Sequence, residues 1–232
     1  MKTKTYFSLA FFLLGNLFVL FSQTETRNVG PFDKLEVNGH YTVILIAGET
    51  GSLNLRGDSD DLKQIETYVK KGTLIIKQKK SSWIKNWTSG NINIEIPIDQ
   101  IQGANLSGSG SISSKHLIKT THFGTSLSGS GKIELQIETD QTEGFISGSG
   151  QIILAGKTNE ATFKVSGSGD IKAKKLMGKD STVQISGSGS VSLHAENSLE
   201  AMISGSGDLF CYGKPEKQVT SVSGSGNILF KD

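Results

Sequence analysis

Ile146-Ser147-Gly148-Ser149-Gly150-Gln151-Ile152-Ile153-Leu154 decides how this chain is read. An aliphatic residue precedes a Ser-Gly-Ser-Gly tetrapeptide, and aliphatic residues return at the second and fourth positions after it. The tetrapeptide recurs from Ser107, Ser128, Ser147, Ser166, Ser186, Ser204 and Ser223, at intervals of 21, 19, 19, 20, 18 and 19 residues. A flexible Gly/Ser linker has no reason to keep that spacing or to carry ordered flanks. Here the preceding residue is Leu106, Leu127, Ile146, Val165, Ile185, Ile203 or Val222, and the second residue after is Ile112, Ile133, Ile152, Ile171, Val191, Leu209 or Ile228. Two further on stand Ser114, Leu135, Leu154, Ala173, Leu193, Cys211 and Phe230, with mostly polar residues between. That period of two is the signature of a strand with one face inward.

A repeat near 19 residues without a helical period is too short for paired helices or propeller blades, so it predicts stacked β coils, an all-β solenoid. At about 3.3 Å per extended residue each coil has a perimeter of roughly 60 Å, and seven coils at about 4.8 Å make a section roughly 34 Å long. Glycine suits the corners because it takes positive φ and lets backbones approach, and serine hydroxyls are expected to satisfy backbone groups at the bend. Aligned coils stack these serines into ladders. A second corner is read at Thr121–Gly124, Thr139–Gly144, Gly156–Asn159, Gly178–Ser181, Glu196–Ser198 and Gly213–Glu216. Residues 32–100 also alternate as strands, around Leu35 and Val37, Tyr41 to Leu45, Leu53 and Leu55, Leu74 and Ile76, and Ile92 to Ile96, with one helical turn near Asp60–Ile65. No linker intervenes, so residues 23–232 read as one domain, irregular over 23–100 and regular over 101–232.

The whole chain has 232 residues, 28 of them glycine, with 3 prolines and 1 cysteine, which argues against collagen and disulfide scaffolds. Lys2 and Lys4 precede an apolar run from Tyr6 to Phe21, the pattern of a signal peptide over residues 1–22, with cleavage expected between Ser22 and Gln23. The run is shorter than the roughly 20 residues a membrane-crossing helix needs. No cysteine follows it, so no lipoprotein anchor is expected. Removing Lys2 and Lys4 leaves 22 basic against 22 acidic residues, which takes away the electrostatic case for nucleic acid as a partner.

Gly30-Pro31-Phe32-Asp33-Lys34-Leu35-Glu36-Val37-Asn38-Gly39, followed by Tyr41–Ile46, Gly57-Asp58, Leu62–Ile65 and Gly72-Thr73-Leu74-Ile75-Ile76, resembles the opening of the head GIN domain family of putative autotransporter adhesins. The Ser-Gly-Ser-Gly-x-Ile repeats resemble the same family, with Gly226-Asn227-Ile228 spelling the motif in the last one. The resemblance covers about residues 28–232. It implies a right-handed single-stranded β-helix exported by Bacteroidetes-type bacteria, with adhesion as its proposed role. No segment reads as an autotransporter membrane barrel, a departure from the secretion route in the family's name.

The candidate binding residues are Lys79, Lys80, Trp83, Lys85 and Trp87, where the only two tryptophans alternate with cations. Such a segment stacks on sugar rings or holds an anionic glycan; the competing reading is a flap whose tryptophans cover an apolar face. Asp170 and Asp208 follow the glycines in two repeats, but Ser111, Lys132, Gln151, Ser190 and Asn227 take the same place elsewhere, unlike a calcium β-roll. His40, His116, His122 and His194 have no metal-ligand spacing. No Gly-x-Ser-x-Gly elbow occurs, and no carboxylate pair recurs at a fixed coil offset. No catalytic residue, metal or cofactor is therefore expected. Cys211 falls in the inward column and reads as a buried thiol. Phe210 and Leu229 fall outward on adjacent coils, and an open final coil leaves strand edges unpaired, so self-association into a homo-oligomer is expected.

These readings converge on an exported, non-enzymatic envelope or surface protein of a Gram-negative bacterium, an adhesin for a cell-surface glycan or protein with no membrane span after signal removal. A structural scaffold without a specific ligand, and a glycan-active enzyme on a β-helix, are the alternatives. Clustered carboxylates beside Trp83 distinguish the enzyme; a smooth Ser/Gly ladder without a cleft distinguishes binding or structure.

Overall fold

The computed structural model describes residues 23–79 and 91–231. The expected signal peptide, and Lys80, Trp83, Lys85 and Trp87, lie outside the described residues. The chain forms a β-solenoid of about seven turns with about 19 residues per turn. Its elements in order are β1 (Gln23–Asn28), β2 (Lys34–Asn38), β3 (Thr42–Ala47), β4 (Ser52–Gly57), the short helix α1 (Ser59–Lys63), β5 (Ile65–Lys70), β6 (Thr73–Gln78), β7 (Asn93–Ile98) and β8 (Gly103–Gly108). The regular coils follow as β9 (Ser111–Gly129), β10 (Lys132–Gly148), β11 (Gln151–Gly167), β12 (Asp170–Gly187), β13 (Ser190–Gly205), β14 (Asp208–Tyr212), β15 (Lys217–Gly224) and β16 (Asn227–Lys231).

Successive coils pair in parallel, β9 with β10, β10 with β11, β11 with β12 and β12 with β13. The alternation read from the sequence sets which side chains enter the bore. Ile133, Leu135, Ile146, Ile152, Leu154, Ile171, Ile185, Val191 and Leu209 are all buried. Each fully buried aliphatic side chain stabilises the fold by about 1.5–3 kcal/mol relative to exposure. Ser114, an apparent lapse in an apolar column, is also buried; its Oγ donates to the His116 carbonyl and accepts from the His116 N–H. The hydroxyl thus holds the bulge that absorbs the two extra residues of the 21-residue repeat.

The second corner is tighter than predicted. Asp140 alone drops out of pairing between Thr139 and Gln141, whereas Phe123 and Thr142, placed at that corner by the sequence, are 1% exposed in the strand beyond it. Phe163 needs the missing side chain of Gly144 one coil earlier, where a Cβ would sit 2.8 Å from its ring.

The irregular first part has a specific cause. β2 pairs on one side with β8 and on the other with β6, while β3 pairs with β9 and β7. The coil made by β6 and β7 therefore lies outside the coil made by β2 and β3, although it comes later in the chain. β4 runs antiparallel to β7, β1 to β4 and β5 to β6, closing this end with Leu53, Leu55, Leu62 and Ile65 buried beneath. Arg27 ties the closure together, donating to the carbonyls of Leu62 and Ile65 at 2.8 and 2.9 Å. At the other end the inward residues Val222 and Phe230 are 42% and 45% exposed among the described residues.

Candidate functional site

Lys79 is the one predicted binding residue that the structure describes. Its side chain is exposed and its Nζ donates to the Lys63 carbonyl at 2.6 Å, while its N–H donates to the Gln64 carbonyl. Asn38 aligns with Lys77 and Thr42 with Asn93, so the corner from Asn38 to Thr42 is flanked on that side by the end of β6 and the start of β7. That corner in turn aligns with Ser107 to Ser111, through pairing of Asn38 with Ser107 and Thr42 with Ser111.

Along the Ser-Gly ridge the first glycine of each tetrapeptide has φ between +113° and +129°, which glycine alone adopts without strain. The second glycine is required by contact instead: a Cβ on Gly150 would lie 2.6 Å from the Gly131 carbonyl oxygen. Corner N–H groups donate to carbonyls one coil back, as Ser149 and Gly150 do to Gly129. The serines face solvent, and this backbone pairing takes the role expected of their hydroxyls. Beside the ridge, Asp170 accepts from the Ser190 hydroxyl at 2.6 Å and Asp208 from both the N–H and Nδ2 of Asn227. These carboxylates clamp neighbouring coils.

A groove of about 620 Å³ runs across the second corner. Lys119, Glu138, Lys157 and Met177 share one row by register, and Asp140, Asn159 and Lys179 form the other. Thr139 and Thr158 lie between the rows, their hydroxyls bonded to main-chain carbonyls of Gln141 and Glu160. Lys119 sits 3.4 Å from Glu138, and Asn159 Nδ2 donates to Asp140 Oδ1 at 2.9 Å. Three lysines face three carboxylates here, counting Glu196 at the far end, so the groove carries no net formal charge. Its side chains come from five successive strands, β9 to β13, giving a length of about 19 Å at about 4.8 Å per step. The sequence reading did not single these residues out; the available signal was charged or amide residues at one corner in consecutive repeats, Asp140 and Asn159 above all.

Among the described residues no three His, Cys, Asp or Glu side chains converge as a metal site. His194 lies 3.8 Å from Glu196. Cys211 is buried, and desolvation pushes its thiol above the ordinary cysteine range. Phe210 and Leu229 do sit side by side, in register on β14 and β16.

A family described as "Putative auto-transporter adhesin, head GIN domain" matches residues 31–215. Among solved structures, a putative adhesin from Bacteroides fragilis superposes with a TM-score of 0.82 at 22% identity. One from Parabacteroides merdae does so with 0.69 at 19%. A protein from Parabacteroides distasonis titled a putative lipid binding protein gives 0.71 at 25%. Each comparison covers 90% of this chain and 96% of the other. The first two identities speak to the fold alone. No functionally curated protein matches.

Proposed function

The chain belongs to the head GIN domain family of putative auto-transporter adhesins, and from that premise we propose that it is an exported, non-enzymatic adhesin holding a linear, neutral glycan of a cell surface in the groove across β9–β13. The observation that carries this reading is the groove itself. It extends across five strands, it is balanced in charge, and its side chains project from hydrogen-bonded parallel strands. A preformed row of donors and acceptors loses little ordering entropy on binding, which favours a repetitive ligand with hydroxyls at regular intervals. Exposed Met177 supplies an apolar contact for the carbon face of a sugar. Export is supported by the basic and apolar residues 1–22, whose removal leaves the chain that begins at Gln23.

The test is a glycan-array screen of residues 23–232, run with Asn159→Trp, which blocks the groove from an exposed position, and with the Trp83→Ala, Trp87→Ala double variant. Binding by the parent that Asn159→Trp abolishes supports the groove. Loss confined to the tryptophan variant moves the site to the Lys/Trp segment. Absence of any binding removes glycan recognition.

A further inference from the structure

We propose a second ligand site on another face of the solenoid: a pit over Gly103 and Gly124 that accepts a single neutral, polyhydroxylated ring, the terminal residue of a glycan. Gly103 and Gly124 pair in register on β8 and β9, and their column continues with Lys34 on one side and Glu143 on the other. Two successive outward positions without side chains interrupt an otherwise covered sheet. The result is a depression of about 390 Å³. One wall is the row Asn105, Ser126 and Phe145; the opposite wall is His122.

The two glycines have different reasons to be glycine. A Cβ on Gly103 would lie 2.7 Å from the Gly124 carbonyl oxygen, so the backbone itself excludes a side chain there. At Gly124 a Cβ would meet nothing within 4 Å, and φ is not positive. The fold has open space for a Cβ at that position. Glycine in a strand interior weakens the strand, and it marks places where something else approaches the backbone. Here it keeps the pit open.

The walls define the guest. Phe145 is a large apolar side chain that remains 44% exposed at the rim, a flat face for the C–H side of a ring. The Asn105 Oδ1 accepts from the N–H and hydroxyl of Ser126 at 3.0 and 2.8 Å, which turns its Nδ2 into the available donor. Glu143 supplies acceptors and Lys34 a donor at opposite ends of the column. One cation balanced by one carboxylate makes no demand for a charged ligand. Donors and acceptors surrounding one apolar face match a pyranose better than a nucleobase or an aliphatic chain. The site is separate from the groove and stands or falls independently of it.

The experiment is an amide and aromatic NMR titration of residues 23–232 with methyl glycosides of glucose, galactose, mannose and N-acetylglucosamine. Saturable shifts at the Gly103 and Gly124 amides and the Phe145 ring are expected with at least one of them. Gly124→Trp fills the pit from open space and abolishes the response without lowering the thermal midpoint; Phe145→Ala weakens binding about tenfold. Asn159→Trp, which tests the groove, leaves this titration unchanged. No saturable shift with any glycoside, shifts that bypass the pit, or wild-type binding by Gly124→Trp overturns the proposal.

Discussion

Replacing Gly169 with alanine tests whether close approach of the coils is what the second glycine of each tetrapeptide provides. The residue does not have positive φ, so no backbone strain enters the comparison. A Cβ there would sit 2.7 Å from the Gly150 carbonyl oxygen and 2.6 Å from Cγ2 of Ile146. Carbon ordinarily stays beyond about 3.3 Å from a carbonyl oxygen, so the coils must part by about 0.6 Å. The same oxygen accepts from the Asp170 N–H at 3.0 Å. Parting stretches that bond past the useful range, a loss of about 1 kcal/mol. Overpacking against Ile146 adds about 1–3 kcal/mol, and the stiffer unfolded chain returns about 0.4–1. The net expectation is about 1–3.5 kcal/mol of destabilisation, or about 2–14 °C in the midpoint for a chain of this size. Because a solenoid is stabilised by nearest-neighbour interfaces, the loss is expected to concentrate between β11 and β12. Native-state hydrogen exchange resolves it: the amides of Ser168 to Lys172 should lose protection while those around Leu35 keep theirs. Gly124→Ala is the control, expected to be neutral or stabilising. An alanine at 169 that costs less than about 0.5 kcal/mol refutes the close-contact account.

Three further outcomes follow from single side chains. Ser181 carries a buried hydroxyl without a hydrogen-bond partner among the described residues, so Ser181→Ala should raise stability by about 1 kcal/mol in denaturant unfolding. Arg27→Ala removes the side-chain donor to the Leu62 and Ile65 carbonyls and should cost about 2 kcal/mol, read as early exchange of β1 and β5 amides. Burial pushes the Tyr41 phenol up to about 12. The unfolded chain releases that proton near its ordinary value of about 10, so the tyrosine's contribution is intact below that pH and is lost as pH rises towards 12. Tyr41→Phe should flatten the fall in stability over that alkaline window.

Much of the fold was legible because the regular coils obey one rule in every repeat. Aliphatic residues alternate with polar ones at fixed distances from a corner, and the alternation survives changes of repeat length since bulges absorb them. The groove escaped the sequence reading for the converse reason. Lys119, Glu138, Lys157 and Met177 share a row without a common residue type, and their alignment depends on knowing where each bulge falls. The pit is harder still, since its signal is a pair of side chains that are missing.

The N-terminal winding order shows what a repeat means physically. Asn38-Gly39-His40-Tyr41 turns the same corner as Ser107-Gly108-Ser109-Gly110, with Gly39 donating to the Ser107 carbonyl and Gly110 donating back to Gly39. Gly39 keeps a positive φ of 149°, as the first glycine must. The second glycine has become Tyr41. In the regular coils that position faces a backbone carbonyl of the coil before, but the coil outside β2 and β3 is β6 and β7, between which the sequence has no Ser-Gly-Ser-Gly tetrapeptide. Here the position holds a large side chain, and the buried Tyr41 ring covers Gly39 so closely that a Cβ there would lie 2.7 Å from Cε2. What repeats along the rod is the set of contacts each corner has to make. The letters repeat only where the neighbour is the same.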